Sequence, residues 1–150
     1  MARPLNRLWR AGLCLALLLL ALPCAAETLR LTSHKSFADT LADLEFAITE
    51  HNFRITGRNE VGRAIRDRGH DTFPDATVVH YCNLELAHEV LQLDPHFIVH
   101  MPCRAAVYVT DGKVYVAADL LPEDHADERV RAFARRVNAL QRQILKYATE

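Results

Sequence analysis

Asp111-Gly112 is the feature of this chain that most narrows what it can fold into. The pair stands between two apolar, β-branched and aromatic runs, 104–110 and 113–118. Asp-Gly in that setting is a strong short-range signal for a two-residue hairpin turn. The reading carries its own check. A two-residue turn puts Val109 opposite Val114, Tyr108 opposite Tyr115 and Val107 opposite Val116, so both strands carry matching residues on matching faces. Tyr108 and Tyr115 then read as a cross-strand packing pair. Cys103 shares parity with Ala105, Val107 and Val109 on the more apolar face, which turns its sulfur toward the core or a pocket mouth.

Residues 1–26 read as an address. Arg3, Arg7 and Arg10 form a positive start, residues 11–22 are an unbroken apolar run of 12, and Pro23-Cys24-Ala25-Ala26 offers small residues for cleavage before Glu27. The run falls short of the roughly 17 residues needed to cross a bilayer. The expectation is therefore a cleaved secretory signal, no membrane span after cleavage, and a periplasmic or secreted protein. Pro23 before Cys24, and Ala21 where a lipid-attachment signal carries Leu, argue against a lipoprotein. The remaining segment, 27–150, has the 124 residues of one domain. Removing three arginines from 18 basic residues leaves 15 against 19 acidic ones, a net charge of −4. No nucleic-acid partner is expected, because phosphate binding needs a clustered basic surface. Arg58, Arg63, Arg66 and Arg68 are interleaved with Glu60 and Asp67 and read as a solvated helix face.

The other elements follow from periodicity and punctuation. A half-buried strand is expected over 28–32, where Leu29 and Leu31 alternate with polar neighbours. Phe37, Leu41, Leu44 and Ile48 lie at helical spacing behind Ser36 and Asp39, which form a capping-box-like start. A short strand over 53–57 precedes a helix capped by Asn59, with Val61, Ala64 and Ile65 inward and Gly69 at its end. The loop 69–76 is expected to tuck Phe73 onto the core. A strand over 77–82 leads to a helix capped by Asn83, running to about Leu93 and stopped by Asp94-Pro95. A last amphipathic helix, about 122–148, opens with Pro122, Glu123 and Asp124 and lines up Val130, Phe133, Val137, Leu140 and Ile144. That stripe must dock on the sheet or on a partner. No internal repeat or low-complexity tract interrupts the chain.

The run 81–116 carries Cys82-Asn83, Ala87, Asp94-Pro95, Pro102-Cys103, an apolar strand, Asp111-Gly112 and another strand. It resembles the bacterial domain-of-unknown-function family DUF302. Phe37, Leu41, Phe53 and Phe73-Pro74 agree upstream, so the likeness covers most of 27–120, and the spacing of Cys82-Asn83 from Pro102-Cys103 is its most specific element. Leu84 stands where the family tends to have Pro, and His100-Met101 where it has an apolar pair. The resemblance implies a compact α+β domain, a mainly antiparallel sheet with helices packed on it, often paired as a homodimer. It implies no established activity, since fold does not fix function.

Chemistry centres on Cys82 and Cys103, the two thiols outside the signal. Three readings stand side by side. In an exported protein the pair is a candidate disulfide, and closing a loop of about 20 residues contributes roughly 3 kcal/mol. Alternatively, Cys82, Asn83, Pro102 and Cys103 form a ligand site where strand ends meet a helix N-terminus, whose dipole would lower a thiol pKa. His80, His100 and Met101 beside the two thiols make a soft donor set suited to copper, zinc or a haem iron. Third, a thiol or disulfide redox enzyme would use the same sulfurs, with Asn83 orienting a base. No Cys-x-x-Cys, haem-attachment Cys-x-x-Cys-His or His-Glu-x-x-His pattern occurs. His34, His51, His70, His88, His96 and His125 read as solvated, capping or structural. The expected function is an exported protein binding a small ligand, soft metal or haem-type cofactor near Cys82 and Cys103. It leans away from catalysis. The alternatives are the thiol enzyme, or an interaction module with a structural bridge and a partner surface on the last helix.

Overall fold

Asp111 and Gly112 both adopt positive φ, 51° and 70°, the mirror-image turn whose twist matches that of the strands it joins. The computed structural model of the chain describes residues 27–150; the predicted export signal over 1–26 lies outside the described residues. Five strands, β1 (Thr28–Ser33), β2 (Arg54–Asn59), β3 (Ala76–Cys82), β4 (Cys103–Thr110) and β5 (Lys113–Asp119), form one sheet in the order β1-β5-β4-β3-β2. Every pairing is antiparallel. The hairpin register is the expected one, Val109 opposite Val114 and Val107 opposite Val116. The Tyr108 and Tyr115 rings stack at 5.6 Å.

Four α-helices accompany the sheet among the described residues: α1 (Phe37–Glu50), α2 (Val61–Arg66), α3 (Leu84–Leu93) and α4 (Glu128–Thr149), with a 3-10 turn at Pro95–His100. The main core lies between one sheet face and α1 with α4, where Val79, Tyr81, Val107 and Val116 meet Leu44, Ile48, Ile144 and Leu145. A second core lies past the end of the sheet. There Val90 of α3, Phe97 of the 3-10 turn and Leu121 meet Val130, Phe133 and Val137 of α4. Cys103 and Leu86 touch both cores. The result is one compact α+β domain. Among the described residues no helix is long and apolar enough to cross a membrane.

Capping chemistry explains why α1 and α3 start where the sequence puts them. The Ser36 hydroxyl accepts from the Asp39 amide at 3.1 Å, and the Asn83 side chain accepts from the amides of Glu85 and Leu86 at 3.0 and 3.1 Å. Each satisfies donors that the first helical turn leaves open.

Four expectations are corrected. Asn59 ends β2 and does not cap α2, whose N-cap, Glu60, makes no side-chain cap bond. The inward residue of α2 is Gly62, while Val61 and Ala64 face solvent. A Cβ at Gly62 would lie 2.5 Å from the Pro74 carbonyl oxygen and 2.7 Å from the Ala76 amide nitrogen, so α2 docks backbone to backbone. Phe73 does not tuck in; it is 38% exposed. Lastly, α4 opens at Asp127, which accepts from the Arg129 amide at 2.8 Å, and not near Pro122. Leu121 spends both backbone groups on the Asn138 side chain, which keeps the stretch before α4 out of the helix. The apolar stripe of α4 docks on the sheet of its own chain. Of the arginines near α2, Arg63 pairs with Glu60, Arg66 with Asp75 and Arg58 with Glu45, while Arg68 donates to the Ala64 carbonyl.

Candidate functional site

The end of β3, the start of β4 and the end of β5 meet at one edge of the sheet because adjacent strands run antiparallel. His80 is opposite Arg104, and Tyr81 is opposite Cys103. The 3-10 turn and the loop after β5 extend beyond that edge and enclose a cleft of about 540 Å³. Its sheet side carries His80, His100, Met101, Pro102, Cys103 and Arg104; its loop side carries Leu121, Pro122, Glu123 and Asp124, with Asp119 at the end of β5. Behind it lies a cavity of about 30 Å³ bordered by Phe53, Cys82, Asn83, Phe97 and Phe133. His100, Met101, Cys103 and Leu121 border both spaces.

Each wall is held by specific side-chain and backbone contacts. The Met101-Pro102 peptide is cis, and the Met101 amide donates to the Ile98 carbonyl at 3.1 Å. The Asn59 amide nitrogen lies 3.3 Å from His80 Nε2. The imidazole accepts in this contact when Nε2 carries no proton. Arg104 Nη2 stands 3.7 Å from Asp119 Oδ2, with both side chains more than half exposed. On the loop side, Asn138 is 2% exposed. It accepts from the Leu121 amide at 2.8 Å and donates to the Leu121 carbonyl at 3.0 Å and to Glu123 Oε1 at 2.7 Å. His125 lies 3.2 Å from Asp94 Oδ2 and accepts from the Asp127 amide, linking the loop to the residue that caps the 3-10 turn.

Both cysteines are free thiols, so the candidate bridge is not formed in this structure. Burial pushes the Cys103 thiol up to about 11, and the neighbouring Cys82 adds to the shift. Burial also raises Cys82. The expected lowering by the α3 dipole is therefore corrected: the Asn83 side chain takes the first free amides of α3, and desolvation decides the sign. The upward shifts lower the thiolate fraction at neutral pH that a nucleophile or exchanger draws on. The Tyr81 phenol is likewise pushed far up by burial and donates to Gln141 Oε1 at 3.2 Å.

The structure brings His80, His100, Met101, Pro102 and Cys103 to the large cleft, but puts Cys82 and Asn83 on the small cavity behind it. Asn83 serves as a helix cap and also donates to the Asn52 carbonyl at 2.9 Å. Among the described residues no three His, Cys, Asp or Glu side chains are grouped to hold a metal ion. Sequence reading missed Arg104, Asp119, Glu123 and Asn138. The first two were within reach, since the hairpin register counted outward from Asp111-Gly112 pairs 104 with 119. Asn138 left a fainter signal, a polar residue one turn after Ala134 on the buried side of α4.

Comparison with known proteins gives family and fold. The family model described as Domain of unknown function DUF302 matches residues 29–146. The chain is similar to a crystal structure of an uncharacterized conserved protein DUF302 from Bacillus stearothermophilus, with a TM-score of 0.74 and 17% identity, covering 84% of this chain and 100% of that one. No curated protein matches significantly.

Proposed function

The chain belongs to the DUF302 family, and from that premise we propose that it is an exported binding protein holding a small organic ligand in the cleft at the end of the sheet. One observation carries the reading. A space of about 540 Å³ opens between His80, His100–Arg104 and the loop after β5, within the roughly 300–1,000 Å³ of small-molecule sites and combining apolar surface with a few polar groups. The imidazole, thioether and thiol donors on its wall are of types that copper, zinc or haem iron accept. Among the described residues no three His, Cys, Asp or Glu side chains are grouped for a metal ion, which favours an organic ligand over a three-ligand zinc centre. Export is supported by the pattern of residues 1–26, and pairing into a homodimer by the family resemblance.

Val99 borders the cleft and is 78% exposed, so Val99→Trp fills the space without disturbing either core. The purified protein is screened against a small-molecule library by the shift of its thermal unfolding. The expected result is at least one compound that stabilises the native chain and loses that effect in Val99→Trp. Stabilising compounds that act equally on both proteins would contradict the reading. Titration with haemin, copper and zinc runs alongside; a stoichiometric visible band or bound metal abolished by His80→Ala or His100→Ala would return the site to metal or haem.

A further inference from the structure

Resting on that reading of the cleft, we infer that its ligand is a zwitterion with a free amino and a free carboxylate end, of the short-peptide class. The cleft carries charge of both signs, Arg104 with Asp119 beside it on the sheet side and Glu123 and Asp124 on the loop side. At the sheet end, Arg104 and His80 are register partners. Arg104 reaches Asp119 through a single loose contact of 3.7 Å, which leaves donors of its guanidinium fork for a ligand carboxylate. His80, with Nε2 against the Asn59 side chain, adds its imidazole to the same side of the cleft.

The loop side of the cleft is a built feature. Asn138, nine-tenths and more buried, grips both backbone groups of Leu121 and Glu123 Oε1. The Glu123 carboxylate is thereby positioned by a buried side chain, with Oε2 as the acceptor for an ammonium and Asp124 beside it on the same rim. Met101, Pro102 and Leu121 supply apolar surface to the same cleft. An anion alone would confront Glu123 and Asp124, and a cation alone would leave Arg104 with only its loose contact to Asp119; like charges across an interface are costly. One charge of each sign satisfies both ends. The volume of about 540 Å³ suits two or three peptide residues better than a free amino acid.

The test is calorimetric titration of the purified full-length protein with trialanine, N-acetyl-trialanine and trialanine amide. Trialanine binds, and capping either end weakens it about fivefold, the upper range for an exposed ion pair. Arg104→Gln weakens trialanine by a similar factor and leaves the amide unchanged. Glu123→Gln, which keeps an oxygen for Asn138, weakens trialanine and leaves the acetylated peptide unchanged. Capped peptides binding as well as trialanine, capped peptides as sensitive to the substitutions as the free one, or no peptide binding would overturn the inference. Hexylamine or hexanoate binding in a Val99-sensitive way would then leave the cleft reading standing, and the absence of any Val99-sensitive compound would remove both.

Discussion

A methyl group on Gly62 would sit 2.5 Å and 2.7 Å from two backbone atoms of the segment entering β3, and backbone cannot swing aside as a side-chain tip can. Gly62→Ala is expected to destabilise the domain by about 1–3 kcal/mol despite the better helix propensity of Ala, read as a fall in the urea midpoint. Cys103 gives a pH signature. Its folded pKa is raised from 9.0 to about 11, so the folded chain keeps a proton that the unfolded chain releases. The resulting stability is present in full below pH 9 and is lost as pH rises toward 11, on the order of 2 kcal/mol by linkage. Cys103→Ala is expected to flatten the fall in urea-derived stability over that window; an unchanged slope would assign it elsewhere. The inward parity of Cys103 was legible because strand alternation is local. The sign of the Cys82 shift was not, because it depends on the core closing over it from α4 and the 3-10 turn.

At the scale of elements, the loop between β5 and α4 depends on one buried amide. Asn138→Leu leaves the Leu121 N–H and C=O without partners in the core, and about 2–4 kcal/mol of stability is expected to go with them. Asn83→Ala removes a helix cap and an exposed hydrogen bond to the Asn52 carbonyl, and is expected to cost about 1 kcal/mol. Urea unfolding of the two variants checks the order, and a smaller loss for Asn138→Leu would contradict the role given to it. Caps and turns of this kind decide which elements a sequence reveals. Ser36, Asn83 and Asp111-Gly112 act within three residues of themselves, so α1, α3 and the hairpin were readable. The start of α4 was not, because Asn138 holds Leu121 from 17 positions away. The docking of α2 through Gly62 was equally hidden, since a glycine carries no hydrophobic signal.

For the molecule as a whole, the sheet edge matters more than the pair of cysteines that first drew attention to it. Antiparallel order carries His80, Cys103, Arg104 and Asp119 to one end, and the 3-10 turn and the Asn138-held loop raise walls around them. Half of this site was readable, namely the side built from residues 100–103, which punctuation places next to a strand start. The loop side was not, because Pro122, Glu123 and Asp124 read as the opening of a helix. Sedimentation equilibrium checks the proposed homodimer: a mass near twice that of one chain is expected, and a monomer at tens of micromolar would remove it. The cleft itself is tested most directly by backbone amide chemical shifts of the labelled protein as a stabilising ligand is added. The shifts are expected to gather on His80, residues 100–104 and residues 119–124; shifts confined to the opposite end of the sheet or to the outer faces of α1 and α4 would contradict the account.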